Sequence, residues 1–321
     1  MKKILSILFV LMVGASLAFS CKDDDPSGTI FVDPQPGTEI VNDFDLWLKD
    51  IYQYPFNIIF NYKYLDRETD LNYYLVPAKY EESIKIARLL RLLWLDPYLK
   101  TLDEFEDAPV EAGLNFIRKV SPKLIMPLGT AAINNNGTRI LGQASLGLKI
   151  LLFEVNDLSG YLSDLDNPDN VYAMNEYYFK TMHHEFAHIL HQNIDIPEEF
   201  KEISRGEYLQ DVWYDPVYVP QARPNGFITP YARSGEYEDF VEVLANWVVY
   251  DDAQWAIFKQ EAGTNGWPII QMKLDIVKDW IKTNWYYDLD TLRGHVLDAY
   301  DKIQYLDMDS MDPEVWDRDI Y

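Results

Sequence analysis

Apolar residues recur with helical spacing along much of the chain. In the segment 80–95, Ile84, Ala87 and Leu90 follow one another at intervals of three, which is the spacing of one face of an amphipathic helix. The helices predicted in this way cover residues 43–54, 80–95, 171–192, 237–250, 267–283 and 286–304. Helices therefore dominate the second half of the chain.

Three shorter segments are rich in β-branched and aromatic residues and predict strands. They lie at 57–65, 123–128 and 146–155, and the Asn-Asn-Asn-Gly turn signal at 134–137 separates the last two. Strands come early in the chain and helices come late. This order favours an α+β fold with a small mixed sheet over a doubly wound sheet.

Length, composition and charge limit the class of protein. The 321 residues are 48% hydrophobic and 25% charged, which is typical of a globular chain and excludes disorder or a multi-span membrane protein. The net charge of −24 repels phosphate backbones, so nucleic acid is excluded as a partner. No internal repeat and no second linker is visible, and we predict one folded unit over 41–321.

The first twenty residues have the pattern of a secretory leader. Lys2 and Lys3 precede an apolar stretch at 4–19, which is too short for a preferred membrane span. Cys21 is the single cysteine of the chain and follows directly, a position better explained by lipid attachment than by a disulfide. The segment resembles a bacterial lipoprotein box, so we expect a signal peptide at 1–20 and lipidation of Cys21.

Residues 21–40 have the composition of a tether, because they hold several Pro and Gly residues and few apolar ones. Its first part, Lys22-Asp23-Asp24-Asp25, resembles the acidic tag that directs lipoproteins of Bacteroidota to the outer face of the outer membrane. The resemblance implies a surface-exposed outer-membrane lipoprotein anchored by lipid. A solvated linker is the alternative reading of the same residues.

The candidate chemistry lies in one histidine-rich helix. Four of the five histidines fall within nine residues, and among them stands the pattern H-E-x-x-H, as His184, Glu185 and His188. Residues four apart share a face of a helix, so both imidazoles can reach one Zn²⁺ while Glu185 lies beside a zinc-bound water. The alternative is a helix that merely buries or solvates its histidines.

The remaining histidines are assigned to structure. His191 lies seven residues after His184 and about 10 Å farther along the helix axis, too far for both to bind one ion. The longer motif H-E-x-x-H-x-x-G-x-x-H is absent, because position 191 is His and position 194 is Ile. His183 and His295 receive the same structural interpretation. The third metal ligand must therefore come from another segment.

A second amphipathic helix offers that ligand. Glu238 and Glu242 are four residues apart and share a face, while the other face is apolar. We predict Glu238 as the third ligand and Glu242 as the carboxylate that accepts the outer N–H of a ligating histidine. Asp239 points about 100° away on the helix and is assigned as a capping residue in the first turn. A solvated acidic helix face is the alternative for Glu238 and Glu242.

Two segments together are similar to the catalytic domain of anthrax lethal factor. There, H-E-F-x-H is followed by Y-G-R-x-x-E-x-E-F-F-A-E, and the corresponding residues here are HEFAH and YARSGEYEDFVE. The resemblance implies zinc ligation by His184, His188 and Glu238, with Glu185 as general base and Tyr231 as the tyrosine that stabilises the transition state. Three positions without a ligand role depart from the pattern: Ala232, Asp239 and Val241.

The whole chain resembles the zinc-binding metallopeptidase lipoproteins of Bacteroidota, also called substrate import-associated zinc metallohydrolases. This likeness rests on the lipoprotein start, on TMHHEFAHILHQ and on GFITPY at 226–231. It implies a zincin-like, gluzincin-type fold and an outer-membrane lipoprotein associated with a TonB-dependent import system. The natural substrate stays open.

The site predicts peptide-bond hydrolysis by a zinc-bound water, with Glu185 taking its proton and Tyr231 bonding the oxyanion. The strand candidate Gly147–Val155 is the expected sheet edge for an extended peptide. Two other classes remain. One is a zinc hydrolase of a non-peptide amide. The other is a non-catalytic surface lipoprotein whose aromatic residues, 15% of the chain, bind a glycan or peptide.

Overall fold

A computed structural model describes residues 41–105, 108–145 and 148–311. The described residues from Asp43 onward belong to one compact unit. The predicted leader, the tether and Cys21 lie outside the described residues.

Helices make up most of the described chain, as the apolar periodicity predicts. They are α1 (Asp43–Leu48), α2 (Tyr54–Phe56), α3 (Tyr80–Leu90), α4 (Asp96–Asp103), α5 (Ala112–Val120), α6 (Leu158–Leu162), α7 (Pro168–Met174), α8 (Lys180–Asn193), α9 (Glu198–Ile203), α10 (Glu236–Val249), α11 (Asp252–Trp285) and α12 (Leu289–Lys302). Single π-helical turns join three successive pairs, at Lys49–Gln53, Arg91–Leu95 and Asn175–Phe179. The predicted helix at 171–192 is thus a continuous helical segment that runs from α7 into α8.

The apolar pattern predicts only the second half of the longest helix, α11. The prediction covers 267–283, whereas α11 begins at Asp252 and ends at Trp285. Gly263 interrupts the helical geometry with φ 63° and ψ −162°, a conformation that glycine adopts at little cost. The kink interrupts the regular helical spacing, so the apolar periodicity of the sequence predicts only the second part of this helix.

The sheet is small and mixed. Its strands are β1 (Ile59–Phe60), β2 (Leu124–Pro127), β5 (Gly142–Ser145) and β6 (Lys149–Leu152), and β3 (Ala132–Ile133) pairs with β4 (Arg139–Ile140) in a separate hairpin. The order is β1-β2-β6-β5, with β5 antiparallel and the other pairs parallel. The α+β prediction is confirmed. The strand predicted at 57–65 is reduced to two paired residues.

The prediction for the edge strand is wrong. The sequence predicts the sheet edge at 147–155, but β6 lies inside the sheet, between β2 and β5. Its residues Ile150, Leu151 and Leu152 are at most 2% exposed, and such an unbroken apolar run is typical of a strand buried on both faces. The two edge strands are β1 and β5, and the sequence of β5, Gly-Gln-Ala-Ser, carries no strong strand signal.

The hydrophobic core encloses the histidine-rich helix α8. Phe186 on this helix is fully buried and makes edge contacts with the rings of Trp94 and Tyr98, at centroid distances of 5.4 and 5.0 Å. These contacts hold one face of α8 rigidly. Within the described ranges, no helix combines the length and apolar character needed to cross a membrane.

Candidate metal centre

The site begins with the two faces of α8. Met182, Phe186 and Leu190 are buried on its core side, while His184 and His188 lie one turn apart on the other side, with ring centroids 4.7 Å apart. The preceding helical segment begins at Pro168, and the Asn167 side chain caps it by accepting the N–H of Asp169. The H-E-x-x-H pattern thus lies on a long helix anchored at both its start and its core face.

Helix α10 brings Glu238 opposite the two histidines. The Nε2 atoms of His184 and His188 are 3.1 Å apart, and each lies 3.2 Å from Oε2 of Glu238. Nitrogen and oxygen ligands at about 2 Å in a tetrahedron around Zn²⁺ are about 3.3 Å from one another. Two imidazoles and one carboxylate are also a common donor set for zinc. The three residues therefore fit this ion.

The outer nitrogen of His184 is held by a buried carboxylate, as the sequence predicts. Its Nδ1–H donates to Oε1 of Glu242 at 2.8 Å. The other oxygen of Glu242 accepts from the Thr229 hydroxyl at 2.7 Å and lies 3.6 Å from Nζ of Lys180. Burial opposes ionisation of Glu242, but the charge of Lys180 and these hydrogen bonds outweigh it and lower its pKa to about 2.

The electrostatics of His184 follow from the same neighbours. Burial alone would lower the pKa of His184, but hydrogen bonds to Glu238 and Glu242 outweigh it and raise that pKa to about 10. The same histidines hold the pKa of Glu238 well below its usual range, against the effect of burial. In the metal-free protein, His184 therefore carries a second proton, and its positive charge balances the carboxylates that would otherwise face a metal ion.

The outer nitrogen of His188 is held by another histidine. Nδ1 of His188 lies 2.9 Å from Nε2 of His191, and the His191 ring stacks on Tyr237 at 4.9 Å with an interplanar angle of 13°. Among the described residues, the group able to hold a metal does not include His191, but His191 contacts one member of that group, His188. The sequence reasoning considered only direct ligation and missed this contact, although the i, i+3 spacing of His188 and His191 already allows it.

Glu185 lies between the helix and the edge strand. Its Oε2 accepts the backbone N–H of Ala144 at 2.7 Å, and burial raises its pKa although both metal-site histidines lower it. The strand comes this close because position 142 is glycine. A Cβ there would lie 2.3 Å from Cγ2 of Thr181 and 3.2 Å from the Glu185 side chain. The arrangement gives one carboxylate with raised basicity beside the metal residues.

Tyr231 completes the predicted set. Its ring centroid lies 5.9 Å from that of His184 and 5.0 Å from that of Trp213. Burial, together with the negative charges of Glu238 and Glu242, raises its pKa well above the usual range. The phenol therefore keeps its proton and can donate it in a hydrogen bond.

The capping role predicted for Asp239 is wrong. Its side chain is fully buried and forms an ion pair with Nζ of Lys273 at 2.6 Å, while the Tyr208 hydroxyl donates to it at 3.1 Å. Lys273 also donates to the Gly226 carbonyl at 2.9 Å. Helix α11 supplies the cation, which no local pattern around position 239 predicts. The pair ties the start of α10 to α11 and to the segment that leads to Tyr231.

The other two histidines lie away from the metal residues. His183 is fully buried on the core face of α8. His295 contacts the Thr101 hydroxyl at 2.9 Å and Glu104 at 3.0 Å. Both contacts agree with the structural interpretation. Among the described residues, the one group able to hold a metal is His184, His188 and Glu238.

Comparison with known proteins agrees with this geometry. Residues 38–290 match the model of a family described as "Putative zinc-binding metallo-peptidase". A crystal structure titled as such a protein, from Bacteroides caccae, has 37% sequence identity and a TM-score of 0.66, and the match covers 84% of this chain and 96% of that one. None of the curated proteins matches the chain.

The match spans most of the chain, so this protein belongs to the zinc-binding metallopeptidase family. It is accordingly an enzyme of the hydrolase class, with zinc as its cofactor. This class distinguishes it from the non-catalytic binding lipoprotein considered above.

Proposed function

We propose that the protein is a gluzincin-type peptidase that holds zinc through His184, His188 and Glu238 and hydrolyses peptide bonds. The observation that carries the proposal is the convergence of three ligand atoms within 3.2 Å, while Glu242 and His191 engage the outer nitrogens. Zinc, when bound, activates a water molecule and polarises a carbonyl.

Glu185 is the proposed general base. Its burial and raised pKa suit a carboxylate that takes a proton from water and later delivers it to the leaving amine. The Ala144 N–H holds one of its oxygens at 2.7 Å, which leaves the other oxygen for the reacting water. Position and basicity therefore support the same role.

Tyr231 is the proposed donor to the oxyanion. Its protonated phenol faces the metal residues from the segment that precedes α10. A hydrogen bond that strengthens as negative charge develops on the carbonyl oxygen lowers the barrier. The tyrosine therefore acts on the transition state more than on substrate binding.

The edge strand β5 is the proposed docking strand for substrate. It lies at the edge of the sheet next to α8, and its residues 142–144 line the cleft that contains the metal residues. An extended peptide can add to such an edge as a further strand. In this proposal, the docking role that the sequence analysis gives to 147–155 belongs to β5, the strand that precedes β6.

For location, we propose an outer-membrane lipoprotein that carries lipid on Cys21 and works with a TonB-dependent import system. The support is the leader-like pattern at 1–20, the acidic segment after Cys21 and the match to a protein from Bacteroides caccae. Labelling with a radioactive fatty acid and a Cys21→Ala variant test the anchor. Retention of the label by the variant contradicts it.

Zinc content and peptide cleavage test the catalytic proposal. The native protein is expected to hold about one zinc per chain, and Glu185→Gln to keep the metal but lose at least about 100-fold in kcat. Glu238→Gln is expected to bind zinc at least 10-fold more weakly. Full peptide cleavage by Glu185→Gln contradicts the role of Glu185, and unchanged zinc affinity of Glu238→Gln contradicts the ligand set.

A further inference from the structure

A second cavity opens beside the metal residues. It has a volume of about 560 Å³ and shares His184, Glu185 and Tyr231 with the cleft of about 460 Å³ that contains the metal site. Its remaining walls come from the continuous helical segment of α7 and α8, from α10, from the β3–β4 hairpin with the start of β5, and from the segment 211–230. A substrate whose scissile bond lies at Glu185 therefore presents a neighbouring group to this cavity.

Apart from Asp211, the charged groups of the wall already have partners. Lys180 pairs with Glu176 at 2.6 Å, and the second Glu176 oxygen accepts from the Tyr250 hydroxyl at 3.2 Å. Arg139 pairs with Glu154 at 2.9 Å, and Arg223 with Glu261. Asp211 is exposed to solvent. A charged guest would have to compete with these ion pairs, so the wall disfavours both anions and cations.

An aliphatic guest is disfavoured for a different reason. The hairpin presents the side chains of Asn134, Asn136 and Thr138 to the cavity. An aliphatic group would remove water from these donors and acceptors without replacing its hydrogen bonds.

The volume of the cavity and the aromatic rings in its wall limit the kind of substrate group that fits. A volume of 560 Å³ corresponds to about 19 water molecules at about 30 Å³ each, which exceeds what an ordinary side chain fills. Tyr172, Trp213 and Tyr214 also line the cavity. Aromatic rings combine a flat apolar face with polar edges, and a sugar ring has matching apolar faces and hydroxyl groups.

We propose that this cavity selects an uncharged, hydrogen-bonding group on the substrate residue next to the scissile bond. A carboxamide of Asn or Gln and a sugar on Ser or Thr share this chemistry, and the volume with the aromatic wall favours the sugar. The inference rests on the peptidase function proposed above. It specifies the substrate class of the same site.

Matched peptides test the inference with the zinc-loaded full chain. A library that contains unmodified peptides and the same peptides with N-acetylgalactosamine on Thr is digested by the protein, and mass spectrometry locates the cut bonds. One cleaved sequence is then made with Leu, Glu, Lys, Gln, Thr or Thr carrying N-acetylgalactosamine at each position flanking the cut. At one such position, kcat/KM for the Gln or the glycosylated peptide is expected to exceed that for Leu, Glu and Lys by at least 10-fold. Comparison of the Gln peptide with the glycosylated peptide shows whether the preferred group is a carboxamide or a sugar.

A variant links the preference to the cavity. Tyr172→Ala removes an aromatic ring from the wall and is expected to reduce the preference for the better arm at least 5-fold. The matched control is Tyr74→Ala, because Tyr74 is fully exposed and lies outside the cavity lining. A preference that both variants keep overturns the assignment to this cavity.

The outcomes separate the two proposals. Faster cleavage beside Leu, Glu or Lys overturns the inference and leaves the peptidase function standing. If the zinc-loaded protein cleaves no peptide, the peptidase function fails. Binding of the same peptides to Glu185→Gln then tests the cavity alone, and equal affinity for the Leu and glycosylated peptides overturns the inference.

Discussion

Two adjacent histidines of α8 show how the two faces of one helix create opposite chemistry. His183 faces the core, where its Nε2–H donates to the Leu93 carbonyl at 3.2 Å and Nδ1 lies 3.3 Å from the Tyr98 hydroxyl. Burial lowers its pKa to about 4. His184 faces Glu238 and Glu242, which raise its pKa to about 10 although it too is buried.

The difference teaches that burial alone does not decide the charge of these imidazoles. Both residues are at most 6% exposed, and only the partners differ. Neutral acceptors and donors leave His183 uncharged, whereas two carboxylates hold a cation beside His184. One helix face therefore serves stability, and the other is prepared for a metal ion.

The largest effect is expected from pH on zinc binding. His184 holds a proton in the metal-free protein at pH values below about 10, and that proton must leave before the imidazole can bind zinc. Zinc affinity is therefore expected to rise about 10-fold per pH unit, or about 100-fold from pH 6 to pH 8. Competition with a chelator of known affinity measures it. An affinity that is flat over this range contradicts the carboxylate-held proton.

Removing the charge of Glu242 is expected to weaken zinc binding, because Glu242 holds the outer nitrogen of His184. Glu242→Gln leaves an amide opposite the Nδ1–H of His184 and deprives Lys180 of one of its two carboxylate neighbours. Zinc affinity is expected to fall about 10- to 100-fold. Glu202→Gln on α9 serves as the control, because Glu202 is exposed and remote from the metal residues. Equal affinities of the two variants would refute the positioning role.

Acid is expected to lower the stability of the fold through His183, on the core face of α8. Because the folded protein holds the pKa of His183 at about 4 rather than 6.5, the unfolded chain binds this proton more readily. Stability is therefore lost as pH falls through this window, by about 2 kcal/mol between pH 7 and pH 5. Urea unfolding of the native protein and of His183→Gln measures it. The variant should lose about 2 kcal/mol less over the same range, and parallel curves would contradict the assignment.

The smallest effect is expected at the rim of the site. His191 is a neutral partner for His188, so its loss removes orientation but no charge. His191→Leu is expected to weaken zinc binding by about 10-fold or less. His191→Asn keeps an acceptor and should recover part of the affinity. A loss larger than that of Glu242→Gln would reverse the ranking of the two outer partners.

Local sequence leads to the candidate metal residues, whose ligand roles stay predictions, because each pair is defined by helical spacing. His184 and His188 are four apart, and Glu238 and Glu242 are four apart, so each pair shares a face once its helix forms. Apolar residues on the opposite faces also predict that both helices turn these residues away from the core. The gluzincin type and the likeness to lethal factor stay predictions.

Sequence reasoning failed where the answer depends on distant neighbours. Asp239 looks like a capping residue because its cation, Lys273, comes from another helix. The edge strand β5 lacks β-branched residues, and β6 was chosen in its place because an apolar run predicts a strand without revealing its position in the sheet. The cavity beside the site was not predicted, because its walls come from segments far apart in the chain.

The amino-acid sequence by itself determined the α+β class, the helix that carries His184, Glu185 and His188, and the pair of carboxylates on α10. These features follow from the periodicity of single elements, which local chain geometry imposes. Tertiary structure alone decided which strand faces the cleft, which partner each outer nitrogen meets, and why His184 is charged while His183 is neutral. Those properties depend on the dielectric surroundings and charges that packing brings together.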